Sequence, residues 1–210
     1  MRYVFTGIIA LVALGLVCQA DEPKDLQAEM AKAIAACKEA LAKLPVCGEW
    51  TETTKYHPTD FVPKGGTGTA TTTGTSVCDG TWIASTHDTV FPNGQKYVAR
   101  GMFGWNAKKS CYTLHWFSSM GEVELYEGKL DGKVLTMSST TPDMGFTMNL
   151  KWTFHDADHH AFSITMTAGG ETKPFLDSEV CRKGAAPATC VYGCSCGKEK
   201  TVAIDAPAPS

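Results

Sequence analysis

Residues 82–182 consist of short segments in which apolar and polar residues alternate, separated by sequences typical of tight turns. A period of two places successive side chains on opposite faces of a β-strand, so each segment has one buried and one solvated face. The alternation is strictest in Thr147–Phe154 and His160–Ala168. Asp131-Gly132 joins two further segments and favours a two-residue hairpin, because both residues tolerate positive φ. The run therefore predicts an antiparallel meander.

The chain is predicted to fold as an all-β, up-and-down antiparallel β-barrel of about ten strands. Ten strands with one apolar face have few ways to bury it, and closing the sheet both buries that face and removes exposed edges. The threonine-rich second strand carries almost no charge and is interpreted as a solvated or edge strand. The predicted strands are Gly48–His57, Thr67–Val77, Trp82–Asp88, Gln95–Trp105, Cys111–Phe117, Glu122–Leu130, Lys133–Ser139, Thr147–Phe154, His160–Ala168 and Thr172–Arg182.

One N-terminal amphipathic helix is predicted ahead of the first strand, over Lys24–Lys43. Pro45 ends it, because proline lacks the backbone N–H that would continue the helix. Apolar residues recur at spacings of three and four, which aligns them on one face. We expect this helix to pack on the barrel or to close one end of it; a helix that binds a partner is the alternative. The apolar face comprises Leu26, Met30, Ile34, Cys37, Leu41 and Leu44.

Residues 1–20 have the pattern of an export signal. Arg2 supplies the positive end, Val4–Val17 is apolar, and Cys18–Ala20 fits a small-x-small cleavage site. The apolar run is short for a bilayer span, so no integral membrane segment is expected after signal removal. We expect export to the periplasm or the extracellular space. The predicted divisions are a signal peptide at 1–20, the helix at 21–46, the β-barrel domain at 47–183 and a cysteine-containing tail with a disordered end at 184–210.

The charge of the chain excludes one class of partner. Its 210 residues include 19 basic and 22 acidic side chains, which gives a formal net charge of −3. Nucleic-acid binding needs a dense basic surface. No nucleic-acid partner is therefore expected.

The chain contains nine cysteines, of which only Cys18 lies within the predicted signal. Removal of the signal leaves eight cysteines, and an even number of cysteines in an exported chain favours disulfides. The alternative is that Cys190, Cys194 and Cys196 bind a soft metal such as copper or zinc, or act in thiol redox chemistry. Zinc sites ordinarily pair their cysteines as C-x-x-C, and this cluster does not. The disulfide candidates, whose connectivity is open, are Cys37, Cys47, Cys78, Cys111, Cys181, Cys190, Cys194 and Cys196.

The order and spacing of several segments resemble an exported bacterial family, catalogued as domain of unknown function fifteen-seventy-nine and grouped with calycin-like barrels. The resemblance covers residues 48–183. It implies a lipocalin-like barrel, and it implies no activity because the family has none assigned. The segments that carry it are Gly48–Trp50, Cys78–Trp82, Gly101–Asn106, Tyr112–Phe117, Ser119–Glu122, Asp131–Met137 and Val180–Lys183.

The apolar interior of such a barrel can hold a ligand or can be filled by its own side chains. We expect a non-catalytic protein that binds a small apolar molecule there, and no cofactor. The predicted cavity residues are Trp82, Phe103, Trp105, Leu114, His115, Trp116, Leu150, Trp152, His160 and Phe162.

The sequence contains no convincing catalytic constellation. A nucleophile turn of the form G-x-S-x-G is absent, and the adjacent His87 and Asp88 point to opposite faces of a strand. An enzyme that uses His115 or His160 inside the barrel is the remaining alternative, and haem ligation by His160 is another. The hairpin around His155–His159 could bind a divalent ion but is interpreted as a solvated turn.

Overall fold

The computed structural model describes residues 25–140 and 145–185. The predicted signal peptide and the cluster of Cys190, Cys194 and Cys196 lie outside these residues. One helix, α1, spans Leu26–Ala42 and begins at Asp25, whose side chain accepts a hydrogen bond from the backbone N–H of Ala28. The strands are β1 (Gly48–Tyr56), β2 (Gly66–Val77), β3 (Trp82–Val90), β4 (Lys96–Asn106), β5 (Cys111–Ser118), β6 (Val123–Asp131), β7 (Val134–Ser139), β8 (Thr147–Phe154), β9 (His159–Ala168) and β10 (Glu171–Arg182).

The ten strands form a closed antiparallel barrel in which each strand pairs with its neighbours in sequence. The first and last strands close it, with a register that runs from Trp50 opposite Arg182 to Tyr56 opposite Leu176. The predicted fold class, an up-and-down β-barrel preceded by one helix, is confirmed. Because β2 pairs with both β1 and β3, the expectation of an edge strand is wrong. Its outer face is solvated instead, as at the exposed Thr71.

Alternate side chains of every strand fill the barrel. The inward side chains of Leu114 on β5 and of Leu135 and Met137 on β7 are fully buried. The apolar stripe predicted in β8 also faces inward, because Leu150 and Trp152 pair with inward residues of β7 and β9. A one-residue shift would turn this stripe to solvent, so burial fixes the register.

Helix α1 packs on the barrel only through its C-terminal turns. Leu41 and Leu44 join the main core cluster, and the hydroxyl of Tyr112 donates a hydrogen bond of 2.9 Å to the carbonyl of Ala40. The N-terminal part of the same apolar face stays exposed, as at Leu26 and Met30. The helix therefore anchors to the barrel at one end and leaves the rest of its apolar stripe in solvent.

Replacing Leu41 by alanine is expected to lower the free energy of unfolding by about 2 kcal/mol, because it removes a side chain that is 3% exposed. The matched control is Leu26→Ala on the same face, where the side chain is 69% exposed. Its effect is expected to stay within about 0.5 kcal/mol. Urea unfolding measures both values. Equal losses for the two variants would show that α1 does not dock through its C-terminal turns.

Candidate functional site

Five polar side chains enter the barrel from the inward positions of neighbouring strands. They are Glu52 on β1, Thr72 on β2, Ser85 and His87 on β3, and His160 on β9. The register explains why they share the interior: Thr72 lies opposite His87, and His160 lies opposite the inward Phe154. A carboxylate and two imidazoles that meet on the inner face of a barrel form a candidate site, because ligand sites combine apolar walls with a few convergent polar groups.

These side chains border an internal cavity of about 70 Å³. Val46, in the segment between α1 and β1, forms part of the wall. The cavity thus combines polar groups, contributed mainly by β1–β3, with aromatic rings contributed by β1, β4, β5, β8 and β9. The main apolar wall residues are Trp50, Phe103, Trp116, Trp152, Phe162 and Val180.

Glu52 is the only acidic residue among these five, and it is only 7% exposed. Burial by itself raises the pKa of its carboxyl, but the interactions with His87 and a hydrogen bond from Thr72 outweigh burial and hold the pKa below its usual value. Oε1 of Glu52 accepts the hydroxyl hydrogen of Thr72 and lies 3.4 Å from Nδ1 of His87. Glu52 is therefore ionised near neutral pH.

The same contacts assign the tautomer of His87. Thr72 has one hydroxyl hydrogen and donates it to Glu52. The distance of 3.1 Å between Thr72 Oγ1 and His87 Nδ1 is therefore a hydrogen bond in which Nδ1 is the donor. The hydroxyl of Thr72 thus bridges an acceptor carboxylate and a donor imidazole.

His160 lies between aromatic rings and is only 6% exposed. Its ring packs edge-on against Trp50, with centroids 4.8 Å apart, and against Phe154 at 5.6 Å. Burial lowers its pKa to about 4, against the opposing attraction of Glu52. The imidazole is therefore neutral at pH 7 and has one N–H donor and one nitrogen acceptor.

A chain of hydrogen bonds fixes one aromatic wall of the cavity. The indole N–H of Trp116 donates to the hydroxyl of Tyr97 over 2.9 Å, and that hydroxyl donates to Glu122 over 3.0 Å. Burial and the negative charge of Glu122 raise the pKa of Tyr97, so its proton is retained. Trp116 is thus held in one orientation.

Not all of the predicted cavity residues reach the cavity. Trp82 and His115 lie on the outer face, where their ring centroids are 6.0 Å apart. The prediction that Trp82 and His115 line the cavity is therefore wrong. Ile83 pairs with the inward Phe103, so its neighbour Trp82 points outward. His115 likewise points outward because it follows the inward Leu114. Phe103, Trp116, Trp152, His160 and Phe162 line the cavity, whereas Trp105, Leu114 and Leu150 belong to the packed core.

Sequence reasoning missed four of the five polar residues of the site: Glu52, Thr72, Ser85 and His87. One signal was available in β1, where Trp50, Glu52, Thr54 and Tyr56 share a face. A carboxylate between two aromatic residues on one face of a strand indicates a buried charge. Strands β2 and β3 offered no comparable signal, because both of their faces carry hydroxyl groups.

The cysteines give no disulfide within the part of the chain that the structure describes. Cys37, Cys47, Cys78 and Cys111 are free thiols there, and Cys181 is buried in β10. Pairing or metal binding through the tail cysteines stays a prediction. Thiol counting together with metal analysis of protein purified from an oxidising compartment distinguishes these two alternatives.

The acidic and histidine-rich hairpin between β8 and β9 uses its side chains internally. Asp156 accepts a hydrogen bond of 2.9 Å from His159, and Asp158 pairs with Arg182 at 2.7 Å. No cluster of three or more histidine, cysteine or acidic side chains suited to a metal ion occurs in residues 25–140 and 145–185. These contacts fit a solvated turn, and the cavity beside His160 is much smaller than a porphyrin.

A wider groove of about 1000 Å³ lies on the outer face of the barrel, across β1–β4 and the end of β10. It is lined by exposed hydroxyl and charged residues such as Thr71, Asp88 and Lys96. The groove is open to solvent and has few apolar side chains. The internal cavity is the better candidate site because its polar groups are buried and converge.

Comparisons with known proteins identify a similar solved structure and a family. The S-type phycobiliprotein lyase CPES from Guillardia theta is a solved structure that matches this chain at 11% sequence identity and a TM-score of 0.45, over 78% of this chain and all of that chain. Similarity at this level gives no information on activity. No curated protein matches the sequence. No helix among the described residues is long and apolar enough to cross a membrane. The family described as "Protein of unknown function (DUF1579)" matches residues 36–182, which confirms the predicted resemblance, and the chain belongs to this family.

Proposed function

We propose that this protein is a non-catalytic binding protein that encloses a small, largely apolar ligand inside its barrel. The observation that supports this function is the internal cavity with an aromatic wall and one buried polar side. Ligand sites in proteins typically combine apolar walls with a few convergent polar groups that orient the ligand.

The cavity volume limits the size of the ligand. A dry apolar cavity of about 150 Å³ accepts benzene, and sites for drug-sized molecules have about 300–1,000 Å³. With about 70 Å³, this cavity suits a ligand of a few non-hydrogen atoms. Longer molecules such as fatty acids or retinoids need the aromatic wall to move.

The hydrogen-bond directions argue against nucleophilic catalysis. Thr72 is the hydroxyl group closest to a histidine in the site, but its hydrogen is donated to Glu52 and it accepts from His87. A nucleophile must instead donate its hydrogen to the base. Of the two histidines considered for an enzyme, only His160 faces the interior, and its low pKa makes it a weak base. Binding is thus the favoured activity.

The test is an NMR titration of ¹⁵N-labelled protein with a panel of small neutral, cationic and anionic molecules. Binding inside the barrel is expected to shift the indole N–H signals of Trp116 and Trp152 and to raise the melting temperature. Val180→Phe fills the cavity and should abolish these shifts, whereas Val123→Phe, at a position 62% exposed on the outer face, should leave them unchanged. A panel without any saturable shift would contradict the proposal.

We also propose that the protein acts outside the cytoplasm. The support is the signal-like sequence of residues 1–20. Fractionation of the producing cell, followed by N-terminal sequencing of the protein, tests this proposal. A chain that retains Met1 and stays in the cytoplasm would contradict it.

A further inference from the structure

Three polar groups that line the cavity lack a hydrogen-bond partner among the residues that the structure describes. They are Oε2 of Glu52, the ring nitrogens of His160 and the hydroxyl of Ser85. Both contacts of the Glu52 carboxylate, with Thr72 and with His87, use Oε1. Polar groups inside a protein are almost always paired with protein, water or ligand, so these groups can pair with a partner that occupies the cavity.

The side chains that carry these groups are almost completely enclosed. Glu52 is 7% exposed, Ser85 is 8% and His160 is 6%. A partner for them must therefore occupy the cavity itself, which at about 70 Å³ has room for about two water molecules of ~30 Å³ each. A ligand of similar size can replace that water if it offers the matching hydrogen-bond groups.

The three groups can all act as acceptors at once. Glu52 is ionised and its Oε2 only accepts, the neutral imidazole of His160 has one nitrogen lone pair, and the hydroxyl oxygen of Ser85 has two. A partner with several N–H donors can pair with these three acceptor atoms at once. Among small groups, a primary ammonium has three donors and no acceptor.

The charge of the site favours the same group. The carboxylate of Glu52 attracts a cation, and the attraction is strong where water is excluded. The indole rings of Trp116 and Trp152 line the same cavity, and the faces of such rings attract cations while accommodating an alkyl substituent. Both sides of the cavity are therefore suited to a small organic cation.

We propose that the cavity takes a short alkylammonium ion, whose ammonium group meets Glu52, Ser85 and His160 and whose alkyl group meets the tryptophan rings. This inference rests on the proposed binding function and names its ligand class.

The first test compares methylammonium with methanol, its neutral counterpart with the same number of heavy atoms, by NMR titration of the wild-type protein at pH 7. Hydrogen bonds to a charged group predict that methylammonium binds about tenfold tighter or more. Equal affinity for methanol, or binding of only other panel members, would overturn the ammonium inference and leave the binding function standing. No binding by any panel member would overturn both.

The second test removes the acceptors one at a time. Glu52→Gln is expected to weaken methylammonium binding about tenfold or more, and Ser85→Ala about threefold or more. The matched control is Glu179→Gln on the outer face of β10, which removes the same charge outside the cavity. Because salt and solvent screen a charge on the outer face, this variant should change the affinity less than about twofold.

An equal loss in the Glu179→Gln control would show a long-range charge effect and contradict the site. Melting curves report whether each variant is folded. If Glu52→Gln does not fold, Ser85→Ala and the comparison with methanol decide the outcome. Unchanged affinity in Ser85→Ala together with equal affinity for methanol overturns the inference.

Discussion

Replacing His87 by leucine is expected to lower the free energy of unfolding by about 3–5 kcal/mol at pH 7. The substitution leaves the carboxylate of Glu52 inside the barrel without its imidazole partner, and Glu52 is only 7% exposed. The hydrogen bond from Thr72 remains, but one neutral donor does not offset the desolvation of a charge. Urea unfolding at pH 7 measures the loss.

Two controls separate the charge effect from lost packing. The double variant Glu52→Met/His87→Leu replaces the pair by apolar groups and should recover most of the stability, because an unpaired buried charge is then absent. The penalty of His87→Leu alone should also shrink toward pH 4, where Glu52 becomes protonated in the variant. A double variant as unstable as His87→Leu would show that the loss comes from packing.

The stability of the wild-type protein is expected to fall as the pH is lowered below 6.5, with His160 as a main cause. Burial lowers the pKa of His160 from 6.5 to about 4. Between these two values the unfolded chain binds a proton that the folded barrel does not bind. The free energy of unfolding therefore rises with pH across this window. The contribution of neutral His160 is fully present above pH 6.5, and about 3 kcal/mol of it is lost by pH 4.

The variant His160→Asn removes the titrating group and should flatten this dependence. Urea unfolding at several values between pH 7 and 5 isolates His160, because Glu52, whose folded pKa is lowered, loses its stabilising contribution only below the ordinary glutamate pKa of about 4.3. The matched control is the exposed His155→Asn, which should keep the wild-type slope. A wild-type stability that stays constant from pH 7 to 5 would contradict the burial of a neutral His160.

The strands could be predicted from sequence because burial of one face imposes a period of two. In β8, Leu150 and Trp152 alternate with Asn149 and Lys151, and the predicted strand ends coincide with the observed ones. The helix was also predictable from its period and from Pro45. The part of the helix that docks was not predictable, because the length of an apolar stripe does not show how much of it the barrel covers. Leu26 and Leu41 belong to the same stripe, but of these two only Leu41 is buried.

The inward face of β3 could not be predicted for a physical reason. Ile83, Ser85, His87 and Thr89 share one face, and the opposite face begins at Trp82. Both faces contain apolar and polar residues, so neither has the contrast that identifies a buried side. The inward face of β3 is set by its pairing with β2 and β4. Which faces of β2 and β4 point inward depends in turn on closure of the barrel. The wrong phase placed Trp82 inside and left His87 out.

The sequence by itself determined the number of strands, their order and the antiparallel barrel, because local periodicity and turn residues encode these features. Only the tertiary structure decided which polar residues meet. Glu52, His87 and His160 are far apart in the chain and share one cavity because β9, β10, β1, β2 and β3 are consecutive strands of the closed sheet. The pKa shifts of Glu52 and His160 likewise depend on burial, and burial is a property of the assembled barrel rather than of any one segment.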